Sequence, residues 1–116
     1  MAEYTNVRLA IEDRVAILTI DHPPANAFNH ATVTELGQAI DELIANDQVK
    51  VIIITGAGEF AFVAGADINE INQVKTAEEA LDFIRLGQGV FNKVEDCPKP
   101  VIAAINAVAL GGGLEL

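Results

Sequence analysis

Residues 50–70 read KVIIITGAGEFAFVAGADINE, and this stretch decides the fold class of the chain. The run VIIIT is continuously apolar and ends at a glycine, which is typical of a strand covered on both faces within a parallel sheet. The loop that follows is rich in glycine and alanine, so its backbone is open to close approach. Parallel strands need helical crossovers, and the neighbouring sequence supplies them.

Helical periodicity flanks this strand on both sides. Thr32 and Glu35 have the spacing of a capping box, and apolar residues recur on one stripe up to about Asn46. Thr76 and Glu79 repeat that spacing and open a longer helix that ends at CPKP. The stripes comprise Val33, Leu36, Ala39, Ile40, Leu43 and Ile44 in the first helix, and Ala80, Phe83, Ile84, Gly87, Val90, Phe91 and Val94 in the second.

The outer parts of the chain complete an α/β pattern. Val7, Leu9 and Ile11 alternate with polar residues, and a turn at EDR leads into VAILTI, so the first twenty residues predict a β-hairpin. DHPPANAFN is a structured loop, because its prolines end the strand. VIAAI predicts another buried strand, followed by glycines and the start of a helix. The predicted order is β-β-α-β-α-β, in which the loops after VIIIT and VIAAI leave the same edge of a parallel sheet.

Composition excludes several classes of partner. The chain has 116 residues, 51% of them hydrophobic, and carries 17 acidic against 7 basic residues, a net charge of -10. Nucleic acid and anionic membranes would be repelled, so neither is an expected partner. The single cysteine, Cys97, excludes an internal disulfide and is expected to pack rather than react. No metal site is expected. With neither a signal-peptide pattern nor a membrane-length apolar run, we expect a cytoplasmic protein, and a matrix protein stripped of its transit peptide would show the same pattern.

The two glycine loops, GAGEFAFVAGAD and NAVALGGGLEL, admit two interpretations from spacing alone. Two loops on one sheet edge can point N–H groups at a common spot, which is the requirement for an oxyanion hole. They can also be tight turns at strand ends, which is the interpretation that spacing alone favours. Glu115 lies within reach of such a spot, but an acid in a first helical turn is also favoured by the helix dipole. Asp67 can simply cap the short helix INEIN.

Other motifs are weaker. Gly56, Gly58 and Ala61 have the spacing of a dinucleotide-binding fingerprint, but no helical stripe begins at these glycines. His22 and His30 flank the proline loop without partners that would form a catalytic triad, so surface or capping roles are expected.

Three segments taken together resemble a known family. PPANAFN, FVAGADINE and PKPVIAAINAVALGGGLEL, in this order and spacing, resemble the crotonase superfamily and specifically its enoyl-CoA hydratases. The resemblance covers essentially the whole chain. It implies an α/β crotonase-like fold of ββα superhelical units, with residues 1–116 as its N-terminal portion. The family chain is about twice as long, so the second catalytic glutamate, the C-terminal remainder and the trimerisation helices are expected to be absent from these residues.

The resemblance implies a function as well. An acyl-CoA thioester, hydrated in fatty-acid β-oxidation or related metabolism, would place its carbonyl oxygen between the N–H groups of Ala66 and Gly112, and Glu115 matches the first of two catalytic glutamates. Asn26 and Ala27 match the segment beside the adenine and pantetheine of CoA. The block that lines the thioester pocket contains Ala64, Asp67, Ile68 and Asn69. No separate cofactor is implied, and the full-length protein would be a homo-trimer or a dimer of trimers.

The match has departures, and alternatives stay open. Pro24 and Asn69 stand where the hydratases often have lysines, and Ala107 replaces a frequent glycine. The same frame serves enoyl-CoA isomerases, decarboxylases and thioester hydrolases, although Glu115 favours hydration. A chain that lacks the second glutamate could instead be a non-catalytic fragment that binds CoA or assembles with sister subunits.

Overall fold

Pairs of strands alternate with helices along the chain. A computed structural model describes residues 4–116. In chain order the elements are β1 (Val7–Glu12), β2 (Val15–Ile20), α1 (His30–Ala45), β3 (Val51–Gly56), β4 (Ala61–Val63), α2 (Ile68–Ile71), α3 (Ala77–Glu95), β5 (Val101–Ala103), β6 (Val108–Ala109) and α4 (Gly112–Glu115). Apart from the short α2, this is a ββα unit repeated three times. The sequence analysis missed β4 and β6, because strands of three and two residues are too short to show a period.

The larger sheet has the strand order β1-β2-β3-β5. β1 and β2 form the predicted hairpin, and its turn residues Asp13 and Arg14 both have positive φ, as a tight two-residue turn requires. β3 lies parallel to β2 on one side and to β5 on the other. The parallel arrangement predicted for β3 and β5 is therefore confirmed.

The burial predicted for these two strands is only partly correct. Ile52 and Ile54 of β3 are fully buried, whereas the alternate residues between them are half-buried, so one face of this strand is less covered than expected. β5 was expected to be buried, but Ile102 is 52% exposed. The reason is its position: within residues 4–116, β5 is an edge strand that pairs with β3 alone. A continuous apolar run therefore indicates a buried strand only where other strands or helices pack against it.

The core lies between the larger sheet and α1. The predicted α1 stripe is confirmed, since Val33, Leu36, Ala39, Ile40 and Leu43 are buried. The cap was wrong: α1 begins at His30, and Asn29 caps it by accepting a hydrogen bond from the Thr32 N–H at 2.8 Å. Glu35 instead accepts from the Asn6 N–H at 2.9 Å, so it ties the start of β1 to the helix.

α3 packs on α1 and is less buried than its stripe predicts. Its cap is confirmed, because Thr76 Oγ1 accepts from the Glu79 N–H at 3.1 Å, while the Glu79 carboxylate accepts from the Lys75 N–H. Only Val90 is fully buried within α3, and Ile84 is 52% exposed. The short helix expected at INEIN is α2, capped as predicted by Asp67. No helix starts at Gly56 or Gly58, so the dinucleotide fingerprint lacks its structural context.

Lys99 holds the C-terminal end of α1. Its ammonium group donates to the carbonyl oxygens of Leu43 and Asn46, both at 2.7 Å. Each carbonyl also accepts a backbone N–H, Leu43 from Asn46 at 3.3 Å and Asn46 from Val49 at 3.0 Å, so Lys99 is a second, charged donor to both. A cation at a helix C-terminus also interacts favourably with the helix dipole. The contact is partly buried and charge-assisted, and it joins α1 to the segment just before β5.

Replacing Lys99 by methionine is expected to lower the free energy of unfolding by about 1.5–3 kcal/mol, because two carbonyls lose a charged donor while the aliphatic stem is retained. Lys93→Met is the matched control. Its ammonium contacts only the exposed Asp41 carboxylate, at 2.7 Å, and such a surface pair contributes roughly 0–1 kcal/mol. Urea unfolding of both variants measures the difference, and equal losses would contradict the role assigned to Lys99.

Candidate active site

The two glycine loops meet through the small sheet. β4 pairs in parallel with β6, with Ala61 opposite Val108 and Val63 opposite Ala109. The Leu110 N–H then donates to the Val63 carbonyl at 3.1 Å, which carries the pairing into the glycines. The predicted convergence of the two loops is confirmed, although the pairing that creates it is that of β4 with β6.

The Ala66 N–H is left free by a local bridge. The Phe28 N–H donates to the Gly65 carbonyl and the Asp67 N–H donates to the Phe28 carbonyl, both at 2.8 Å. In this parallel bridge the middle residue, Ala66, turns its own N–H away from Phe28. Within residues 4–116 the Ala66 N–H has no hydrogen-bond acceptor, so it can donate to a ligand.

The Gly112 N–H is free for a different reason. Gly112 is the first residue of α4, where N–H groups have no intrahelical partner, and no other acceptor within the described chain reaches it. Gly111, with a φ of 51°, makes the turn that starts the helix. Gly113 lies directly against β4: a Cβ built on Gly113 would be 2.0 Å from the Val63 carbonyl oxygen. The glycines are therefore needed for close packing as well as for the turn.

A cavity of about 250 Å³ brings Ala66, Gly112 and Glu115 together. Its remaining wall is largely apolar and includes Phe28 and Phe91, whose ring centroids are 5.8 Å apart. Two free N–H donors and one carboxylate around an apolar space can stabilise an oxyanion and move a proton beside it. Glu115 also lines a larger cavity of about 660 Å³, but neither donor residue lines that one.

A second cavity of about 390 Å³ adjoins the first, and Ala66 lines both. Five residues predicted to bind substrate line this second cavity: Ala27, Ala64, Asp67, Ile68 and Asn69. A ligand that reaches from one cavity to the other would therefore pass the Ala66 N–H.

Asn26 lies outside both cavities. Its side chain is buried, with Nδ2 donating to the carbonyls of Ala57 at 3.1 Å and Ala61 at 2.9 Å, and Oδ1 accepting from the His22 N–H at 3.0 Å. These bonds tie the proline loop to the segment between β3 and β4. Asn26 thus has a structural role, and its contact with a ligand stays a prediction.

His22 also belongs to the site, which the sequence did not predict. It lines the second cavity, and its Nδ1 lies 2.6 Å from the Ala27 carbonyl oxygen. Asn29 presents its NH₂ group to His22 Nε2 at 3.4 Å, because the Asn29 side-chain oxygen is already used by the Thr32 N–H. This network assigns the proton to Nδ1, which donates to Ala27. The sequence around His22 contains no pattern that indicates such a contact.

The described residues contain neither a metal-binding cluster nor a membrane-spanning helix. Among residues 4–116, no group of three or more histidine, cysteine, aspartate or glutamate side chains is placed to hold a metal ion. The same part of the chain contains no helix with the length and apolar character needed to cross a membrane.

Comparison with known proteins agrees with this geometry. The family model for enoyl-CoA hydratase/isomerase matches residues 10–116. The chain is 47% identical over 115 residues to the short-chain-enoyl-CoA hydratase of Clostridium acetobutylicum, covering 98% of this chain and 44% of that protein. It is 46% identical over 114 residues to the crotonyl-CoA hydratase of Syntrophomonas wolfei, covering 97% and 44%.

A solved structure gives the same result for the fold. The crystal structure of an enoyl-CoA hydratase from Bacillus anthracis superposes with a TM-score of 0.91 at 34% identity, over 96% of this chain and 43% of that one. The crotonase-like α/β fold is therefore confirmed. The chain spans less than half the length of the curated relatives it matches. A family model that matches nearly the whole sequence shows that this chain belongs to the enoyl-CoA hydratase/isomerase family.

Proposed function

We propose that the whole protein is an enoyl-CoA hydratase, which adds water across the double bond of a trans-2-enoyl-CoA thioester. The observation that carries this proposal is the cavity shared by Ala66, Gly112 and Glu115. The acyl group occupies this cavity and the CoA arm follows the second one, so the thioester lies at Ala66 between them. CoA is part of the substrate, and no separate cofactor is needed.

The two N–H donors and the Glu115 carboxylate have different parts in the reaction. The thioester carbonyl oxygen accepts hydrogen bonds from Ala66 and Gly112, which stabilise the negative charge that develops as the oxygen of water bonds to C3. Glu115 orients that water and accepts the proton that the water loses as the C3–O bond forms. The enolate then takes a proton at C2, so one water molecule is consumed and a 3-hydroxyacyl-CoA is formed. Among the described residues Glu115 is the one acid lining this cavity, which leaves the second glutamate of the family's hydratases to other parts of the protein.

Hydration of crotonyl-CoA by the whole protein tests the proposal. The expected result is loss of the conjugated enoyl-thioester absorbance together with formation of 3-hydroxybutyryl-CoA, identified by mass. Oxygen from labelled water should appear in the product. Conversion of a 3-enoyl-CoA to a 2-enoyl-CoA without uptake of water would instead make the protein an isomerase. CoA binding without either reaction would leave the non-catalytic alternative.

Assembly and location are part of the same proposal. Ile102 and Ile105 are each more than half exposed around β5 within residues 4–116, and such apolar surface favours burial against the rest of the protein or against another subunit. The trimer itself is what the family resemblance implies. We infer a cytoplasmic homo-trimer or dimer of trimers for the whole protein. Sedimentation velocity tests the assembly, and a monomer at micromolar concentration would contradict it.

Replacing His22 by leucine is expected to raise the KM for crotonyl-CoA roughly two- to tenfold with little change in kcat, because Ala27 loses one hydrogen bond beside the CoA cavity. His22→Asn is the matched variant, since an amide NH₂ can replace the Nδ1 donor, and its KM should stay close to that of the wild type. Steady-state kinetics measures both. A fall in kcat alone, or the same KM in all three proteins, would contradict this role for His22.

A further inference from the structure

Gly87 occupies an unusual place on α3. It lines the cavity that we assign to the acyl group, and it lies one helical turn from Phe83 on one side and Phe91 on the other, both of which line the same cavity. Apart from its chain neighbours and the backbone of its own helix, a Cβ built at Gly87 would meet no atom of the described residues within 4 Å. The missing side chain therefore leaves open space between two aromatic residues.

Within residues 4–116, neither backbone conformation nor packing accounts for this glycine. Glycine inside a helix is less stabilising than alanine, and Gly87 is not among the positive-φ glycines, which are Gly58, Gly65 and Gly111. Gly37 offers a contrast, because a Cβ there would lie 2.9 Å from Val90 Cγ2, so that α1 and α3 could not pack as closely. At Gly87 the space faces the cavity.

We propose that Gly87 determines how long an acyl chain the site accepts. This inference rests on the proposed function. With its carbonyl at Ala66 and Gly112, the substrate has its first acyl carbons in a cavity of about 250 Å³. That volume lies below the roughly 300–1,000 Å³ of typical small-molecule sites, so it holds only one end of the ligand.

A longer chain continues along α3. Ile84 lines the same cavity and is 52% exposed, so among residues 4–116 the cavity is open on this flank of the helix. The open space at Gly87 lies beside this exit. A leucine at position 87 fills it, which leaves room for a crotonyl group and shortens the path for longer chains.

The experiment compares Gly87→Leu with Gly89→Leu in the whole protein. Gly89 is the matched control: it lies in the interior of α3, a Cβ there also meets nothing within 4 Å, and it points about 200° away around the helix from Gly87. The measured quantity is kcat/KM for the trans-2 forms of crotonyl-CoA, hexenoyl-CoA and decenoyl-CoA. Both leucines have higher helix propensity than glycine, so the Tm of each variant should be at or above that of the wild type.

In Gly87→Leu we expect the decenoyl-to-crotonyl ratio of kcat/KM to fall at least roughly tenfold, with crotonyl-CoA retained within about threefold. Gly89→Leu should leave the ratio unchanged. Equal losses on all three substrates, an unchanged ratio in Gly87→Leu, or the same fall in Gly89→Leu would overturn the inference.

Failure of the proposed function has a separate signature, which is a wild-type protein that hydrates none of the three substrates. Calorimetric binding of butyryl-CoA and decanoyl-CoA then decides the role of Gly87. If Gly87→Leu binds decanoyl-CoA more weakly than the wild type does but binds butyryl-CoA equally well, the inference is supported. If the ratio of the two affinities is unchanged, it is overturned.

Discussion

Replacing Glu115 by glutamine is expected to lower kcat for crotonyl-CoA hydration by roughly 10²–10⁴-fold. The amide has nearly the same size as the carboxylate, so the cavity keeps its shape, but it cannot accept a proton from the attacking water. In the proposed site, Ala66 and Gly112 would still donate to the thioester carbonyl and the second cavity would still hold the CoA arm, because Glu115→Gln changes neither. We therefore expect KM to change far less than kcat.

Glu95→Gln is the control for this substitution. Glu95 lines the cavity of about 660 Å³ together with Glu115, but it does not line the smaller cavity that contains the two N–H donors. Its kinetics should match those of the wild type. If Glu115→Gln kept most of its activity, proton transfer would not depend on Glu115. If Glu95→Gln were the inactive variant, the reaction would belong to the larger cavity.

The sequence predicted the parts of the fold that have long local patterns. The hairpin of β1 and β2, the buried stripe of α1 and the Thr76 cap of α3 all depend on periodicity or on neighbours three or four residues apart. The cap of α1 was wrong because Thr32 and Asn29 are both good capping residues, and the choice depends on a distant contact: Glu35 bonds the Asn6 N–H. The exposure of β5 likewise depends on which neighbours the strand has.

The candidate site could be predicted only in part from local patterns. Spacing identified two glycine loops on one sheet edge, and by itself it favoured tight turns over an oxyanion hole. The identities of Ala66, Gly112 and Glu115 came from the family resemblance, and the structure then brought the three to one cavity. The Ala66 N–H is free to bind a ligand because Ala66 is bridged to Phe28, which lies 38 positions away in the chain. No local sequence pattern shows such a contact.

Replacing Gly113 by alanine is expected to remove most activity although Gly113 itself contacts no reacting atom. The new Cβ would lie 2.0 Å from the Val63 carbonyl oxygen and 2.7 Å from the Val63 carbonyl carbon. Both are backbone atoms of β4, so neither can rotate away. α4 must therefore move from β4, and the Gly112 N–H and Glu115 move with it.

The size of the loss follows from how strictly the two donors must be placed. Gly112 lies on the helix that moves and Ala66 lies on the loop after β4, so the shift changes their separation directly. A misplacement of about 1 Å can lower the rate roughly 10²-fold, and overpacking of this kind costs about 1–3 kcal/mol of stability. Gly89→Ala is the control, because its Cβ meets no neighbour and alanine favours the helix.

Activity and unfolding measured on the same samples separate the two effects of Gly113→Ala. We expect the variant to remain folded at assay temperature while its kcat/KM falls, which places the defect in the geometry of the donors. Unchanged kcat/KM would mean that α4 can move from β4 without disturbing the reaction, and the oxyanion hole could not then depend on the contact between Gly113 and Val63. On this argument, the close contact of Gly113 with β4 is what allows the N–H groups of Ala66 and Gly112 to reach the same carbonyl oxygen. A side chain as small as a methyl group at position 113 would separate them.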